Sequence, residues 1–198
     1  MNPADAPATF ALILANVAAS LYGLFVDRKF INNFLFNVGA VTRGRQHYRM
    51  ITSAFLHGDL GHLFVNMLTL YFFGPVVEKL LGADGFLVIY FGSLLSGKFL
   101  SLYVNRKTPA YSALGASGAV SGVVLSFCLF YPLANIYLFL IPIGIPAIVF
   151  AALYMAVSML LMKRPDRVIG HDAHLGGAAG GIVLTLLMRP DVVGRFFS

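Results

Sequence analysis

Apolar residues run along this chain in blocks long enough to cross a bilayer, separated by short polar breaks. Six blocks stand out, at 9–26, 60–81, 85–104, 114–131, 138–162 and 173–188, most of them near the roughly 20 apolar residues that a membrane-crossing helix needs. So little chain is left over that the pattern predicts one transmembrane domain over 1–198, with no separate soluble domain. The fold class expected is an all-α membrane protein, a bundle of six spanning helices.

The breaks carry information of their own. The segment 27–56 mixes Phe30, Ile31, Phe34, Leu35 and Phe36 with Arg28, Lys29, Arg43, Arg45 and Arg49, a composition suited to the membrane interface. The fourth block is short and opens with Gly115-Ala116-Ser117-Gly118 after the polar run 105–109. A helix that begins at Ser117, partway down the bilayer, needs its preceding loop sheltered by protein or water, because lipid satisfies no backbone groups. That arrangement implies a water-accessible cavity. In the fifth block, Ile141-Pro142-Ile143-Gly144-Ile145-Pro146 favours a kinked or movable end.

Composition supports the membrane reading. The chain is 59% hydrophobic and 11% charged, with a mean hydropathy of +0.82, where soluble domains are roughly 45–50% apolar and about a quarter charged. The net charge of +6 sits between the spans and forms no stripe interleaved with aromatics, so it reads as membrane flanks and no nucleic-acid partner is expected. The one cysteine, Cys128, forms no intrachain disulfide and nucleates no metal cluster. The N-terminus lacks a basic n-region, and the first block is expected to be a retained helix.

Strongly polar groups inside spans are rare and costly, which singles out His62, Asn66 and His174. His62 and Asn66 are four residues apart, on one helical face, and either aim two donors at one point or tie helices together. Ser117 sits at the expected start of a helix, where unsatisfied N–H groups and the helix dipole favour an oxyanion; a plain helix cap with small packing residues is the competing reading. Gly118 and Gly122 in the fourth block, with Gly177 and Gly181 in the last, let two backbones approach until His174 reaches Ser117. Asp172, two residues before His174, is expected to face elsewhere, near the water interface, giving a dyad and not a triad. His57, His62 and His171 gather no carboxylate or thiol, so neither a metal nor another cofactor is expected.

Three regions, His57-x-x-x-x-His62-x-x-x-Asn66, Gly115-Ala-Ser117-Gly118 and Ala173-His174-Leu-Gly-Gly177, resemble in order the signatures of rhomboid proteases. Tyr48-Arg49 resembles that family's Trp-Arg pair, and Glu78-Lys79 with Gly82 extends the likeness to nearly the whole chain. The resemblance implies an intramembrane serine endopeptidase of the minimal, bacterial type. Ser117 would be the nucleophile and His174 the base, with His62, Asn66 and the Ser117 N–H as the oxyanion site. Gly115, Gly118, Gly177, Gly181 and Arg49 would support them. It further implies single-span membrane proteins as substrates, the lipid bilayer as surroundings, a bacterial inner membrane as location, and a fifth helix whose Pro142, Gly144 and Pro146 help gate access. Two positions depart from the family pattern: Tyr48 replaces Trp, and Ser121 replaces the Tyr that stacks on the catalytic histidine. The family orientation, termini inside and cavity outward, leaves three basic residues inside against eleven outside, opposite to the positive-inside rule. A client-binding pseudoprotease and a small channel are the rival readings; the channel lacks an acidic residue at mid-span.

Overall fold

The computed structural model describes residues 3–137, 143–162 and 170–196. Helix α1, Pro7–Leu21, runs into a widened last turn, Tyr22–Val26. Proline opens α1, where its missing N–H costs nothing. The buried Glu78 carboxylate then takes the N–H groups of Ala8 and Thr9 at 2.9 and 2.7 Å, and the Thr9 hydroxyl at 2.7 Å. An anion at the positive end of a helix is favourable, so this contact ties α1 to the bundle.

The interfacial segment folds into short pieces: α2 Arg28–Phe34, β1 Phe36–Asn37, α3 Val38–Thr42 and α4 Arg49–Thr52. Asp27 and Asn37 cap α2 and α3 through their side chains. The Arg49 guanidinium holds the pieces together, donating to the carbonyls of Asn32 and Leu35 at 2.9 Å and to Gln46 at 2.6 Å.

Helix α5, Leu60–Val104, is continuous over 45 residues except at Gly82, whose φ of 73° and ψ of 168° break it into 60–81 and 83–104. A left-handed φ favours glycine, and Gly82 has open space around it. The two halves correspond to the second and third apolar blocks. Beyond them come β2 Ser112–Ala113, α6 Ser117–Phe130, β3 Asn135–Tyr137, β4 Gly144–Pro146, α7 Ala147–Leu161 and α8 His171–Met188. The strands form two small antiparallel pairs, β1 with β2 and β3 with β4. By length and composition, Pro7–Val26 and Leu60–Val104 are long and apolar enough to cross a membrane, while α6 and α7 are shorter apolar helices.

Helix α6 is the centre, with eleven of its fourteen residues buried; α7 lies at the edge, with only Ala147 and Ser158 buried. Leu70, Phe86, Ile89, Tyr90, Ala119, Val123, Leu125 and Ala178 fill the core between α5, α6 and α8. A methyl group on Gly177 would overlap the Gly118 carbonyl, and one on Gly181 would overlap Gly122. The α6 and α8 backbones therefore touch, as the glycine spacing predicts.

Some expectations change. The helix expected over 138–162 starts at Ala147, because Pro146 is extended (φ −53°, ψ 136°) and residues 144–146 pair with 135–137; the residue before a proline is itself pushed toward extended backbone. Residues 138–142, which include the Pro142 of the expected gate, lie outside the described residues, as do Lys163, Arg164 and Arg167 of the charge count. Asp172 is fully buried instead of lying at the water interface. Lys98, counted among the outer basic residues, lies buried in α5 with its ammonium 5.0 Å from the Phe36 ring centre.

Candidate active site

Asp59 starts the site by starting α5: its carboxylate accepts the His62 N–H at 2.8 Å, an N-cap that fixes the first turn. The cap sets His62 one turn before Asn66 on the face toward α6. Opposite it the chain enters α6 through Gly115, whose φ of 114° is open to glycine and strained for other residues. A Cβ at that position would stand 2.7 Å from the His62 ring, so the His62 imidazole packs directly on the Gly115 backbone. The Gly115 N–H donates to the Ser53 carbonyl at 2.9 Å, anchoring the turn to the interfacial segment.

His57 braces the next residue. The Ser20 hydroxyl donates to the Phe55 carbonyl at 3.1 Å and so accepts from His57 Nδ1–H at 2.9 Å. That leaves Nε2 to accept the Ala116 N–H at 3.4 Å. Burial, reinforced by the neighbouring His62, pushes the His57 imidazole down to about 3, so the ring is neutral and can serve as acceptor. The rings of His57 and His62 meet edge to face, 4.9 Å between centres.

Ser117 is the first residue of α6 and only partly buried. The N–H groups of a helix's first turn have no partner within the helix. His174 lies in the first turn of α8, also partly exposed. The Ala173 carbonyl stands 3.1 Å from where a Cβ on Gly118 would be, so the two helix starts are adjacent. A cavity of about 780 Å³ opens between them, lined by His62, Asn66, Ser117, Ser121, Tyr154 and His174 among others. The cavity expected from the sequence is therefore present, lined by Ser117, His62, His174 and Asn66. Asn66 already spends one amide N–H on the His62 carbonyl at 2.9 Å, which orients the side chain and leaves its second N–H to give.

Asp172 is hydrogen-bonded to groups outside the Ser117–His62–Asn66 cluster. Its carboxylate accepts from Asn105 at 2.6 Å, from Tyr111 at 3.3 and 3.4 Å, and from the Ala173 N–H at 3.0 Å. It thereby holds the start of α8 against the end of α5.

One residue of the site was not singled out from the sequence. Tyr154 of α7 stacks nearly parallel to His174, 6.4 Å between ring centres and 17° between planes. Phe150 also stacks on Tyr154, 5.8 Å between ring centres. The signal available was a tyrosine four residues after a phenylalanine in an otherwise aliphatic helix.

The profile of the Rhomboid domain matches residues 44–191. RHOMBOID-like protein 12, mitochondrial, of Arabidopsis thaliana is 31% identical over 97% of this chain and 60% of its own length. Rhomboid protein 1, mitochondrial, of Saccharomyces cerevisiae is 35% identical over 68% of this chain and 40% of its own. The putative rhomboid protease YdcA of Bacillus subtilis is 32% identical over 77% of this chain and 71% of its own. The chain thus spans less than two thirds of the length of the first two. Two of these three relatives carry mitochondrial names, so the expected bacterial inner membrane gains no support from them.

Proposed function

The chain belongs to the rhomboid family of integral membrane proteins, and from that premise we propose that it is an active intramembrane serine endopeptidase working through a Ser117–His174 dyad. The observation that carries the reading is that Ser117, His174, His62 and Asn66 line a single cavity at the adjoining starts of α6 and α8.

In the proposed reaction neutral His174 takes the proton of the Ser117 hydroxyl as its oxygen attacks a substrate carbonyl. The carbonyl oxygen becomes an oxyanion held by His62, the free N–H of Asn66 and the Ser117 backbone N–H. Collapse breaks the C–N bond, and the amine leaves with the proton from His174. Water, deprotonated by the same histidine, then hydrolyses the acyl-enzyme and restores the Ser117 hydroxyl. Asp172 takes no part, because its oxygens are committed to Asn105, Tyr111 and the α8 backbone.

The six apolar blocks are proposed to be six membrane spans forming one domain, with both halves of α5, α6, α7 and α8 contributing to the cavity of the dyad. Substrates are proposed to be single-span membrane proteins that unwind near helix-breaking residues, since a stable helix hides its scissile carbonyls in hydrogen bonds. Labelling of the detergent-purified protein with a fluorophosphonate tests the dyad. Modification mapped to Ser117 and lost in His174→Ala supports it; no modification of the folded wild type would leave a client-binding protein instead.

A further inference from the structure

Ser121, one turn after Ser117 on α6, lines the same cavity as His174 and carries no ring. The ring beside His174 comes from another helix. The Tyr154 ring of α7 lies nearly parallel to His174, 6.4 Å between centres, and is itself stacked with Phe150 of the same helix. Tyr154 is also tied to the nucleophile's helix. The Ser121 hydroxyl donates its one proton to the Ser117 carbonyl at 2.6 Å, so in its contact with Tyr154 it accepts, and the phenol O–H is the donor. A single side chain thus stacks on the base through its ring and is linked to the Ser117 carbonyl through the Ser121 hydroxyl.

We propose that Tyr154 is the positioning residue for His174, supplying from α7 the aromatic support that α6 lacks. The inference rests on the dyad reading above. A flat ring against one face of an imidazole restricts its rotation about χ2 and so fixes where its nitrogens point. Because α7 is the least buried long helix, with only Ala147 and Ser158 enclosed, the support is conditional: the base is aligned only while α7 is seated against α6 and α8.

The test is the rate of fluorophosphonate labelling at Ser117, measured against probe concentration in wild type, Tyr154→Ala, Tyr154→Phe and the exchange Ser121→Tyr/Tyr154→Ala, with melting temperatures taken in parallel. Misplacing a catalytic group by about 1 Å costs up to about 100-fold, so Tyr154→Ala is expected to lower the maximal labelling rate by 10- to 100-fold. The concentration giving half that rate should stay within about twofold, the split that marks an interaction lost in the transition state and not in binding. Tyr154→Phe, which keeps the ring, should label within about threefold of wild type, and the exchange, which returns a ring from α6, should regain most of the rate. Should Tyr154→Ala fail to fold, Tyr154→Leu keeps the bulk without the plane and takes its place under the same expectations. Wild-type labelling at Ser117 together with an undiminished rate in Tyr154→Ala would overturn the role of Tyr154 alone, as would a Tyr154→Phe as slow as the alanine variant. Absence of labelling in the wild type would overturn the dyad reading itself.

Discussion

Gly177 of α8 packs so closely on Gly118 of α6 that a methyl group on Gly177 would overlap the Gly118 carbonyl oxygen. This contact, repeated one turn on by Gly181 against Gly122, is what brings the start of α8 beside the start of α6. That Ser117 and His174 line one cavity is thus a consequence of backbone packing.

Gly177→Ala and Gly181→Ala are accordingly expected to lower stability by about 3 kcal/mol or more, because the obstructing atoms are backbone and cannot rotate away. Gly194→Ala, with open space around it, is the control and should melt like the wild type. Thermal melting in detergent reads all three, and an unchanged melting temperature in Gly177→Ala would contradict the packing.

His57 makes acid a destabilising condition. Its imidazole is held down to about 3 from the ordinary 6.5, so between those values the unfolded chain binds a proton there that the folded chain does not. Stability therefore falls as pH drops through that window and loses no more from this group below it. Protonation of Nε2 would also set two donors, that nitrogen and the Ala116 N–H, against each other. In His57→Gln the fall in melting temperature between pH 6.5 and 3 should be shallower than in wild type. Identical slopes would mean that the ring is not held neutral.

Asp172→Asn separates a dyad from a triad. Loss of the aspartate in a Ser-His-Asp triad costs about 10⁴ in rate, whereas a structural Asp172 predicts labelling of Ser117 within about tenfold of wild type. The variant should instead melt lower, by about 1–3 kcal/mol in stability, as the bonds to Asn105 and Tyr111 weaken.

Glu78→Ala should loosen α1. Its carboxylate serves two N–H groups and a hydroxyl at the start of that helix, and stranding buried donors costs about 1–3 kcal/mol. Faster proteolytic nicking near residues 5–9, with labelling of Ser117 retained, is the expected pattern.

What the sequence made legible follows from short-range rules. Helix starts at Leu60 and Ser117, the shared face of His62 and Asn66, and the meeting of the two glycine runs all depend on spacing within one element or on the need of small residues for close approach. Gly82 ends one apolar block at the right place for the same reason. Less legible were contacts between distant segments. Asp172 was expected near water because its partners, Asn105 and Tyr111, lie more than sixty residues away. The Ser20–His57–Ala116 chain joins three elements that no spacing links. The replacement of an α6 ring by Tyr154 was hidden likewise: the substitution at Ser121 was visible, its compensation on another helix was not. The β3–β4 pair was masked by the apolar character of 144–146, which reads as helix until Pro146 is given its extended backbone.

The measurement that bears most directly on the central claim is cleavage of single-span membrane proteins co-reconstituted with this chain in liposomes, comparing wild type with Ser117→Ala and His174→Ala and locating the cut by mass spectrometry. The expected result is a cut in or next to the substrate's spanning segment that needs both residues, with Asn66→Ala slower by on the order of 10²–10³. Cleavage by Ser117→Ala at the wild-type rate, or a folded wild type that binds these proteins and leaves them whole, would contradict it.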